Sequence, residues 1–578
     1  MNTKNKIWIY PLILLSFVLL LNSGFVKFVK DDSGNVSPGD PNVYTTLDRT
    51  IIPDNVSTIP TVRVNDPANF AKYGYGKWHY GPGLPYQKRL DLMPSEYGNT
   101  PVTKAATLLR FFTMTDIHIT DKESPAQAIV FSLFAGPNGV SCYSPLMLYT
   151  TQVLNAAIQT INGLNKQNPI DFGLALGDLA NSTQYNELRW FIDVLDGKKI
   201  NPDSGTKDDP IPGPNNDFQD EYMATGLDHS IPWYAAIGNH DHFWMGSKPM
   251  NDKIRQVLIG GKILQLGNIF TDPNAMNDNT FSTGTLDGST PYGTIIGSGV
   301  VANMGTIPDI SPDPNRRSLS KTEWINEFSN TTSLPKGHGF IQPNPQNMFG
   351  ACYSFEPKSN LPIKVIVLDD TQDDNDLPVK EGIYGHGELN NGRYEWLMTQ
   401  LKAGQVEGKL MIIAAHVPIG VSENFPPMDW NVAPGYTNEK DLITQLQSFP
   451  NLILWVSGHR HLNNVTALKS ADPSHPENGF WEVETKSLRE FPQQFRTFDI
   501  VRNSDNTISI FTTNVDPDVK DGSLACISRS YAIASNQIYG LYETPLPTGS
   551  VSYNAELVKK LSPEMELKIM NYGAPISK

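Results

Sequence analysis

Residues 108–118 read LLRFFTMTDIH, a short apolar run that ends in an aspartate and a histidine two positions apart. An apolar run of this length is typical of a buried strand. If the chain stays extended beyond the run, the period of two points Asp116 and His118 the same way, so they can share one metal ion. The segment therefore predicts a strand with metal-ligand side chains at its end.

The same layout recurs along the chain. Further short apolar runs predict buried strands at residues 172–176, 233–237, 364–368, 410–415 and 452–456. Amphipathic stretches between several of them predict helices at residues 145–164, 184–195, 392–401 and 440–447. Strands that alternate with helices indicate an α/β sheet core.

The C-terminal third of the chain has shorter alternating runs. Residues 480–484, 496–501 and 508–513 predict strands of a second sheet, and residues 554–570 predict a helix. Ser320 and Glu323 fit a capping box at the start of one further short helix, residues 321–328.

Four of the predicted strands in the first part also end in possible metal ligands. In chain order the segments are Gly177-Asp178 with Asn181, Asn239-His240-Asp241-His242, His416, and His459 with His461. A carboxylate can bridge two cations, an amide oxygen is a hard ligand, and neutral imidazole is the commonest transition-metal ligand. Each segment alone also fits a turn or a core histidine. Because ligands bind at the carboxyl ends of strands in open α/β sheets, the five segments together predict a shared site.

In the order D-x-H, G-D-x-x-N, G-N-H-D, H and G-H-x-H, these segments resemble the motifs of the calcineurin-like metallophosphoesterase superfamily. The resemblance spans residues 108–461. It extends to Gly387-Glu388-Leu389 followed by Tyr394-Glu395-Trp396-Leu397, which resembles the helix before the family's fourth motif. It implies a four-layer α/β/β/α metallophosphoesterase sandwich with an inserted cap.

The resemblance also implies a two-metal centre that Asp178 bridges. Asp116, His118 and His461 would complete one metal site, and Asn239, His416 and His459 the other. His240 matches the family's histidine that contacts phosphate and is proposed to protonate the leaving oxygen, with Asp241 as its orienting partner. Nitrogen and oxygen ligands without thiolate suit two divalent or mixed-valence ions of Mn, Fe, Zn or Co. Two such ions about 3.5–4 Å apart activate a bridging hydroxide, so no protein nucleophile is required.

The expected activity is metal-dependent hydrolysis of a phosphoric ester. A diester is favoured, because the D-x-H and G-N-H-D motifs resemble phosphodiesterase branches and His240 can protonate a poor alkoxide leaving group. Purple acid phosphatases carry a tyrosine after the second motif and a glycine in place of the first histidine, whereas this chain has Asn181 and His118. The alternatives are a phosphomonoesterase and a non-catalytic binding module on the same fold.

Composition limits the partners. Lys and Arg number 45 against 60 Asp and Glu, and the formal charge of −15 opposes binding to nucleic acid. We therefore expect a small-molecule or lipid phosphate ester as substrate. The three cysteines, Cys142, Cys352 and Cys526, lie far apart and allow at most one disulfide, whose pairing stays open.

The N-terminus indicates export. Lys4 and Lys6 precede an apolar run at residues 7–21, the layout of a signal peptide or signal anchor, here residues 1–26. The protein is thus expected to be extracytoplasmic: periplasmic, secreted or membrane-anchored. A linker and N-terminal arm at 27–100 precede the metallophosphoesterase domain at 101–520, and a C-terminal extension covers 521–578. Roughly a hundred residues at about 243–350 are too many for an ordinary connection and predict the inserted cap.

A few other residues invite a functional interpretation. Residues 369–376 are acidic but lack the glycine and glutamate of an EF-hand, so we expect a solvated loop. Arg460, between two proposed ligands, should point away from them and play a structural role. His242, Trp244, His338 and His386 either line the pocket or have ordinary core or surface positions.

Overall fold

The structure is a computed structural model that describes residues 43–56, 62–99, 101–135, 139–268, 275–341, 350–373, 384–421, 430, 435–540 and 552–576. The predicted signal peptide or anchor, residues 1–26, lies outside these ranges. None of the helices in the described ranges combines the length and apolar character needed to span a membrane.

The described residues form twenty-one strands and nine α-helices. The strands are β1 (Arg49–Pro53), β2 (Trp78–Pro82), β3 (Gln87–Leu92), β4 (Lys104–Met114), β5 (Phe172–Leu176), β6 (Lys199–Ile200), β7 (Tyr222–Met223), β8 (Trp233–Ala236), β9 (Gln265–Leu266), β10 (Phe281–Asp287), β11 (Thr294–Val300), β12 (Tyr353–Phe355), β13 (Ile363–Val367), β14 (Leu410–Ala414), β15 (Leu452–Ser457), β16 (Asn464–Leu468), β17 (Phe480–Glu484), β18 (Phe495–Asn503), β19 (Ile508–Val515), β20 (Ala555–Lys559) and β21 (Ala574–Pro575). The helices are α1 (Ile129–Ala135), α2 (Thr150–Gln167), α3 (Tyr185–Leu195), α4 (Asp252–Ile259), α5 (Lys321–Glu327), α6 (Asn391–Val406), α7 (Glu439–Leu446), α8 (Leu524–Tyr539) and α9 (Pro563–Ile569).

Two large sheets hold the strands that end at the predicted site. The eight-stranded sheet has the order β3-β20-β19-β18-β4-β5-β8, with β21 beside β4, and β4, β5 and β8 run parallel. The six-stranded sheet has the order β12-β13-β14-β15-β17-β16, and β13, β14, β15 and β17 run parallel.

The alternation of side chains along β14 shows how the layers stack. Leu410, Ile412 and Ala414 share one buried cluster with residues of β4, β5, α2 and α3. Met411 and Ile413 point to the opposite face, into a second cluster that includes residues of α6 and α7. Because successive side chains of a strand point to opposite faces, the six-stranded sheet packs on the other sheet on one side and on helices on the other. The predicted α/β fold class, with two facing sheets between helices, is confirmed.

The sequence predicts that the C-terminal strands form a second sheet. In the structure they belong instead to the two large sheets. Strand β17 joins the six-stranded sheet beside β15, whereas β18 and β19 extend the eight-stranded sheet. Strand β18 pairs antiparallel with β4, and Phe498 stacks on Phe111 with ring centroids 4.7 Å apart. Long-range pairing with β4 therefore decides which sheet receives these strands.

The eight-stranded sheet also contains strands from outside residues 101–520, the range predicted for the metallophosphoesterase domain. The region predicted as linker and arm contains the antiparallel pair β1–β2 and contributes β3, which pairs with β20. The predicted helix at 554–570 is instead strand β20 followed by helix α9. The break has a local cause, because Pro563 occupies the first turn of α9 and the Ser562 side chain caps it.

The predicted insertion at about 243–350 is folded where the structure describes it. It contains α4, α5 and the three-stranded sheet β11-β10-β9. Trp244, Met245, Ile254 and Leu258 pack against residues 126–131 in one buried cluster. The predicted capping box of α5 is confirmed, since Ser320 N donates to the Glu323 carboxylate and Glu323 N donates to Ser320 Oγ. All three cysteines are free thiols.

Candidate metal centre

Both sheets deliver predicted ligands to the same place. The eight-stranded sheet contributes Asp116 and His118 after β4, Asp178 after β5 and Asn239 after β8. The six-stranded sheet contributes His416 after β14, and both His459 and His461 after β15. Five of these side chains are buried, and His459 and His461 are half-buried. The edge where the two sheets meet is thus lined by carboxylates, imidazoles and one amide.

Asp116, His118 and His461 form the first group. The two Nε2 atoms of His118 and His461 lie 3.1 Å apart. Asp116 Oδ1 lies 3.2 Å from His461 Nε2 and 4.0 Å from His118 Nε2. Ligand atoms this close to one another can bind a single ion.

Asp178, Asn239, His416 and His459 form the second group. His416 Nε2 lies 2.9 Å from Asn239 Oδ1, 3.2 Å from His459 Nδ1 and 3.4 Å from Asp178 Oδ2. Asp178 Oδ2 also lies 3.7 Å from His118 Nε2 of the first group. One carboxylate oxygen therefore stands between the two groups, where a bridging ligand belongs.

Several of the ligand atoms face other acceptor atoms, an arrangement that a bound cation would satisfy better than a hydrogen bond. Asp116 Oδ1 is buried and has no hydrogen-bond partner, although it faces the nitrogens of His118 and His461. Pairs of imidazole nitrogens face each other at 3.1 and 3.2 Å, which leaves lone pairs without donors when both rings are neutral. The set contains nitrogen and oxygen donors and no thiolate, a combination that suits Mn, Fe, Zn or Co.

The backbone at five ligands is left-handed. The φ angles are 50° at Asp116, 46° at His118, 52° at Asp178, 73° at His459 and 55° at His461. The chain therefore does not stay extended through Asp116 and His118, because it turns sharply as the strand ends, and it turns in the same way at His459 and His461. A non-glycine residue held in this region costs about 1–3 kcal/mol and is typical of functional sites.

Two glycines allow the loops to approach one another. A Cβ at Gly238 would lie 2.2 Å from Asp178 Oδ1, and a Cβ at Gly458 would lie 2.0 Å from Thr115 Oγ1 and 2.5 Å from Asp116 Oδ2. Any larger residue would collide with a ligand or with its neighbour. These contacts explain why a glycine precedes the ligand in the third and fifth segments.

His240 lies beside the two groups. Its ring centroid is 4.5 Å from that of His118, and its backbone N–H donates to Asp178 Oδ1 at 2.8 Å. Its Nδ1 lies 2.7 Å from the backbone carbonyl of Asn181. Since a carbonyl only accepts, Nδ1 carries the proton and Nε2 is the atom that can exchange one.

The resemblance implies that Asp241 orients His240. In the structure the Asp241 carboxylate has other partners. Its carboxylate accepts hydrogen bonds from the backbone N–H groups of Gly238 at 2.8 Å, Leu179 at 2.9 Å and Ala180 at 3.1 Å. Residues Asn239–Asp241 form a short 3-10 helix that turns the Asp241 side chain back toward the start of its own loop. Asp241 thus ties together the loops that carry Asp178 and Asn239, and Asn181 takes the orienting role.

Several residues next to the ligands were not predicted from the sequence. Glu490 Oε2 lies 2.8 Å from His461 Nδ1, and Arg489 Nη1 donates to Asn181 Oδ1 at 2.6 Å. Asp370 accepts the backbone N–H of His416 at 3.1 Å. None of the three follows a recognisable spacing, and Arg489 and Glu490 lie beyond the last motif, so the sequence offered no signal for them.

The charges of the ligands depend strongly on one another. Burial opposes a charge on His416, but the Asp178 carboxylate outweighs it and raises the pKa of His416 to about 10. Burial also opposes a charge on His461, yet Glu490 and Asp116 raise its pKa well above the usual value. Burial lowers the pKa of His118 and of His459 well below the usual value. The acidic neighbours thus favour a proton on His416 and on His461, whereas burial disfavours one on His118 and on His459.

The remaining predicted residues have structural positions. Arg460 pairs with Glu484, Nε to Oε2 3.0 Å, in agreement with the expected structural role. His338 stacks on Trp233 with centroids 3.4 Å apart, His242 Nε2 lies 2.9 Å from Thr371 Oγ1, and Trp244 Nε1 donates to the Ala126 carbonyl at 2.9 Å. His386 is half-buried, and its backbone N–H donates to Gln372.

The acidic stretch at 369–376 is not a solvated loop where it is described. Asp369 and Asp370 are 4% and 0% exposed. Asp369 pairs with Lys321 at 2.5 Å and with Arg393 at 3.4 Å, which joins helix α5 of the insertion to the end of β13. Residues 374–376 lie outside the described residues.

Comparisons with known proteins found only distant structural similarity. No protein-family model and no curated protein matches the chain. A dimetal phosphatase from Danio rerio is similar in structure, with 10% identity, a TM-score of 0.35 and coverage of 71% of this chain and 100% of the other. GAP50, the anchor in the inner membrane complex of Plasmodium, has 12% identity, a TM-score of 0.28 and coverage of 74% and 95%. At these values the similarity says nothing about what this chain does.

Proposed function

We propose that the chain is a metal-dependent phosphoric ester hydrolase that uses two metal ions. One observation carries the proposal: Asp178 Oδ2 stands 3.4 Å from His416 Nε2 and 3.7 Å from His118 Nε2, and so joins two groups of metal-ligand atoms. A carboxylate shared by two adjacent metal sites is typical of centres that hold a phosphate between two cations.

The first ion would be held by Asp116, His118 and His461, the second by Asn239, His416 and His459, and Asp178 would belong to both. When bound, the ions supply Lewis-acid chemistry that neutralises phosphate charge and acidifies water. The chain's own contribution is to hold these ligands on rigid strand ends, because Asp241 and Asp370 fix the loops through backbone N–H groups.

His240 would donate a proton to the leaving group. With Nδ1 bound to the Asn181 carbonyl, a proton on Nε2 can pass to the oxygen that leaves phosphorus. This step matters most when the leaving group is a poor one, such as the alkoxide of an alkyl ester. We therefore propose a phosphodiester as the substrate class, with phosphomonoesters as the alternative.

The experiment combines metal analysis with hydrolysis. Purified protein loaded with Mn²⁺ is assayed on bis(4-nitrophenyl) phosphate and on 4-nitrophenyl phosphate, in the native chain and in Asp178→Asn. Asp499→Asn, the same change on strand β18 away from the ligands, serves as the control. We expect about two ions per chain and hydrolysis in the native chain and the control, and loss of both in Asp178→Asn.

The outcomes separate the alternatives. Faster turnover of the diester supports a phosphodiesterase, and faster turnover of the monoester supports the phosphomonoesterase. Metal binding without turnover of either ester would indicate a non-catalytic binding module. Unchanged hydrolysis in Asp178→Asn would contradict the proposal.

We further propose that the enzyme acts outside the cytoplasm on a small-molecule or lipid phosphate ester and does not bind nucleic acid. The basic and apolar pattern of residues 1–26 and the formal charge of −15 support this. Fractionation of cells that produce the full chain tests the location.

A further inference from the structure

His461 is held on both sides of its ring. Nε2 faces Asp116 Oδ1 at 3.2 Å and His118 Nε2 at 3.1 Å, within the first ligand group. On the opposite side, Nδ1 lies 2.8 Å from Glu490 Oε2. His118, the other histidine of the group, has no hydrogen-bond partner at its buried Nδ1. Within the first group, His461 is therefore the histidine whose ring a carboxylate fixes.

Glu490 also faces a second charged side chain. Its Oε1 lies 3.7 Å from Nε of the adjacent Arg489, a buried side chain. Arg489 is anchored in turn, because its guanidinium donates to Asn181 Oδ1 at 2.6 Å and to the Val140 carbonyl at 3.1 Å. The Glu490 carboxylate thus lies between the His461 ring and an anchored arginine.

The second ligand group has a weaker counterpart of this arrangement. His416 Nδ1 donates to the backbone carbonyl of Leu176 at 2.8 Å. A carbonyl fixes the tautomer as a carboxylate does, but it carries no negative charge. A carboxylate behind a ligating histidine both orients the ring and raises the basicity of the nitrogen that faces the metal.

From this contact we infer that Glu490 is a positioning residue for the metal ion that Asp116, His118 and His461 would hold. The inference rests on the proposed two-metal function. By holding the proton on Nδ1, Glu490 keeps the lone pair of Nε2 directed into the first group. The second group, with His416 held by a carbonyl, does not depend on Glu490.

The test measures metal binding by the full chain. Metal-free native protein, Glu490→Gln and Glu556→Gln are titrated with Mn²⁺ and followed by calorimetry and by the electron paramagnetic resonance signal of free Mn²⁺. Glu556 is a matched control, because its side chain is 20% exposed against 18% for Glu490 and it accepts from Ser509 in the sheet, away from the ligands. Glu490→Asp tests whether a shorter carboxylate restores binding.

We expect Glu490→Gln to weaken one of two Mn²⁺ sites by about 10–100-fold and to leave the other within about twofold. Glu490→Asp should recover part of the loss, and Glu556→Gln should bind like the native chain. Retention of the second site in Glu490→Gln also shows that the variant is folded. Equal affinities of both sites in Glu490→Gln and Glu556→Gln would overturn the inference, as would equal weakening of both sites.

The same titration separates this inference from the proposed function. If the native chain binds two Mn²⁺ ions but hydrolyses no phosphate ester, the proposed activity is wrong, and Glu490 is still judged by the selective loss of one site. If the native chain binds none of Mn²⁺, Fe²⁺, Zn²⁺ and Co²⁺, both the two-metal function and the role of Glu490 are overturned.

Discussion

Asp241→Asn gives a sharp test of how the centre is built. The Asp241 carboxylate accepts three backbone N–H groups, two at Oδ1 from Leu179 and Ala180 and one at Oδ2 from Gly238. An asparagine has one oxygen and one NH₂ group at these positions. At least one of the three buried N–H groups must then face another donor.

A buried donor left without a partner costs about 1–3 kcal/mol, so we expect Asp241→Asn to lower the free energy of unfolding by that amount. Asp241→Ala leaves all three donors unpaired and should cost more than Asp241→Asn. Because the tied loops carry Asp178 and Asn239, both variants should also bind Mn²⁺ more weakly.

Urea unfolding of metal-free protein, followed by circular dichroism, measures the first effect, since removal of metal separates stability from ligation. Asp441→Asn, at an exposed position of helix α7, is the control and should stay within about 0.5 kcal/mol of the native chain. If Asp241→Asn unfolds like the control and changes only the pH dependence of hydrolysis, Asp241 acts on His240 after all and the structural reasoning is refuted.

Three further predictions concern the metal, the acid and a buried lysine. EDTA should abolish hydrolysis and lower the melting temperature, and Mn²⁺ at a hundred times its Kd should restore about 2.7 kcal/mol of stability per site; an unchanged melting temperature would contradict this. Arg489→Lys should lower kcat by up to about 100-fold on alkyl esters, and less on nitrophenyl esters, because Asn181 would hold His240 less firmly. Burial lowers the pKa of Lys559 to about 7, so between pH 7 and about 10 the unfolded chain binds more protons at this lysine, and Lys559 contributes a rise of stability with pH. Urea titrations at several pH values give the slope of the free energy of unfolding against pH. This slope should be smaller in Lys559→Met than in the native chain by up to about 1.4 kcal/mol per pH unit, and equal slopes would contradict the prediction.

The central strands could be predicted because their signal is local. Strand β5 begins and ends at the predicted residues, Phe172–Leu176, since all five of its residues are buried and the apolar run therefore matches the strand. The ligand residues were identifiable for the same reason, since each one directly follows such a run. The polar end of a buried strand is visible in the sequence whatever the rest of the chain does.

Features that depend on distant pairing could not be predicted. Strand β3 has the sequence QKRLDL, with one buried residue, and its place in the sheet depends on β20 more than 460 positions later. The partner of His240 is a backbone carbonyl, which every residue has, so no side-chain pattern identifies it. Glu490 reaches His461 through a loop whose course depends on the packing around Arg489.

Each ligand group takes donors from both sheets. In the first group Asp116 and His118 come from the eight-stranded sheet and His461 from the other; in the second group Asp178 and Asn239 face His416 and His459. Bound ions would therefore crosslink the two sheets at the edge where five residues have a left-handed backbone. Since metal binding is coupled to folding, part of the binding free energy would offset that strain. In the metal-free protein, hydrogen bonds such as those that Asp241 accepts hold the same loops together, which is why Asp241 bears on stability as well as on the site.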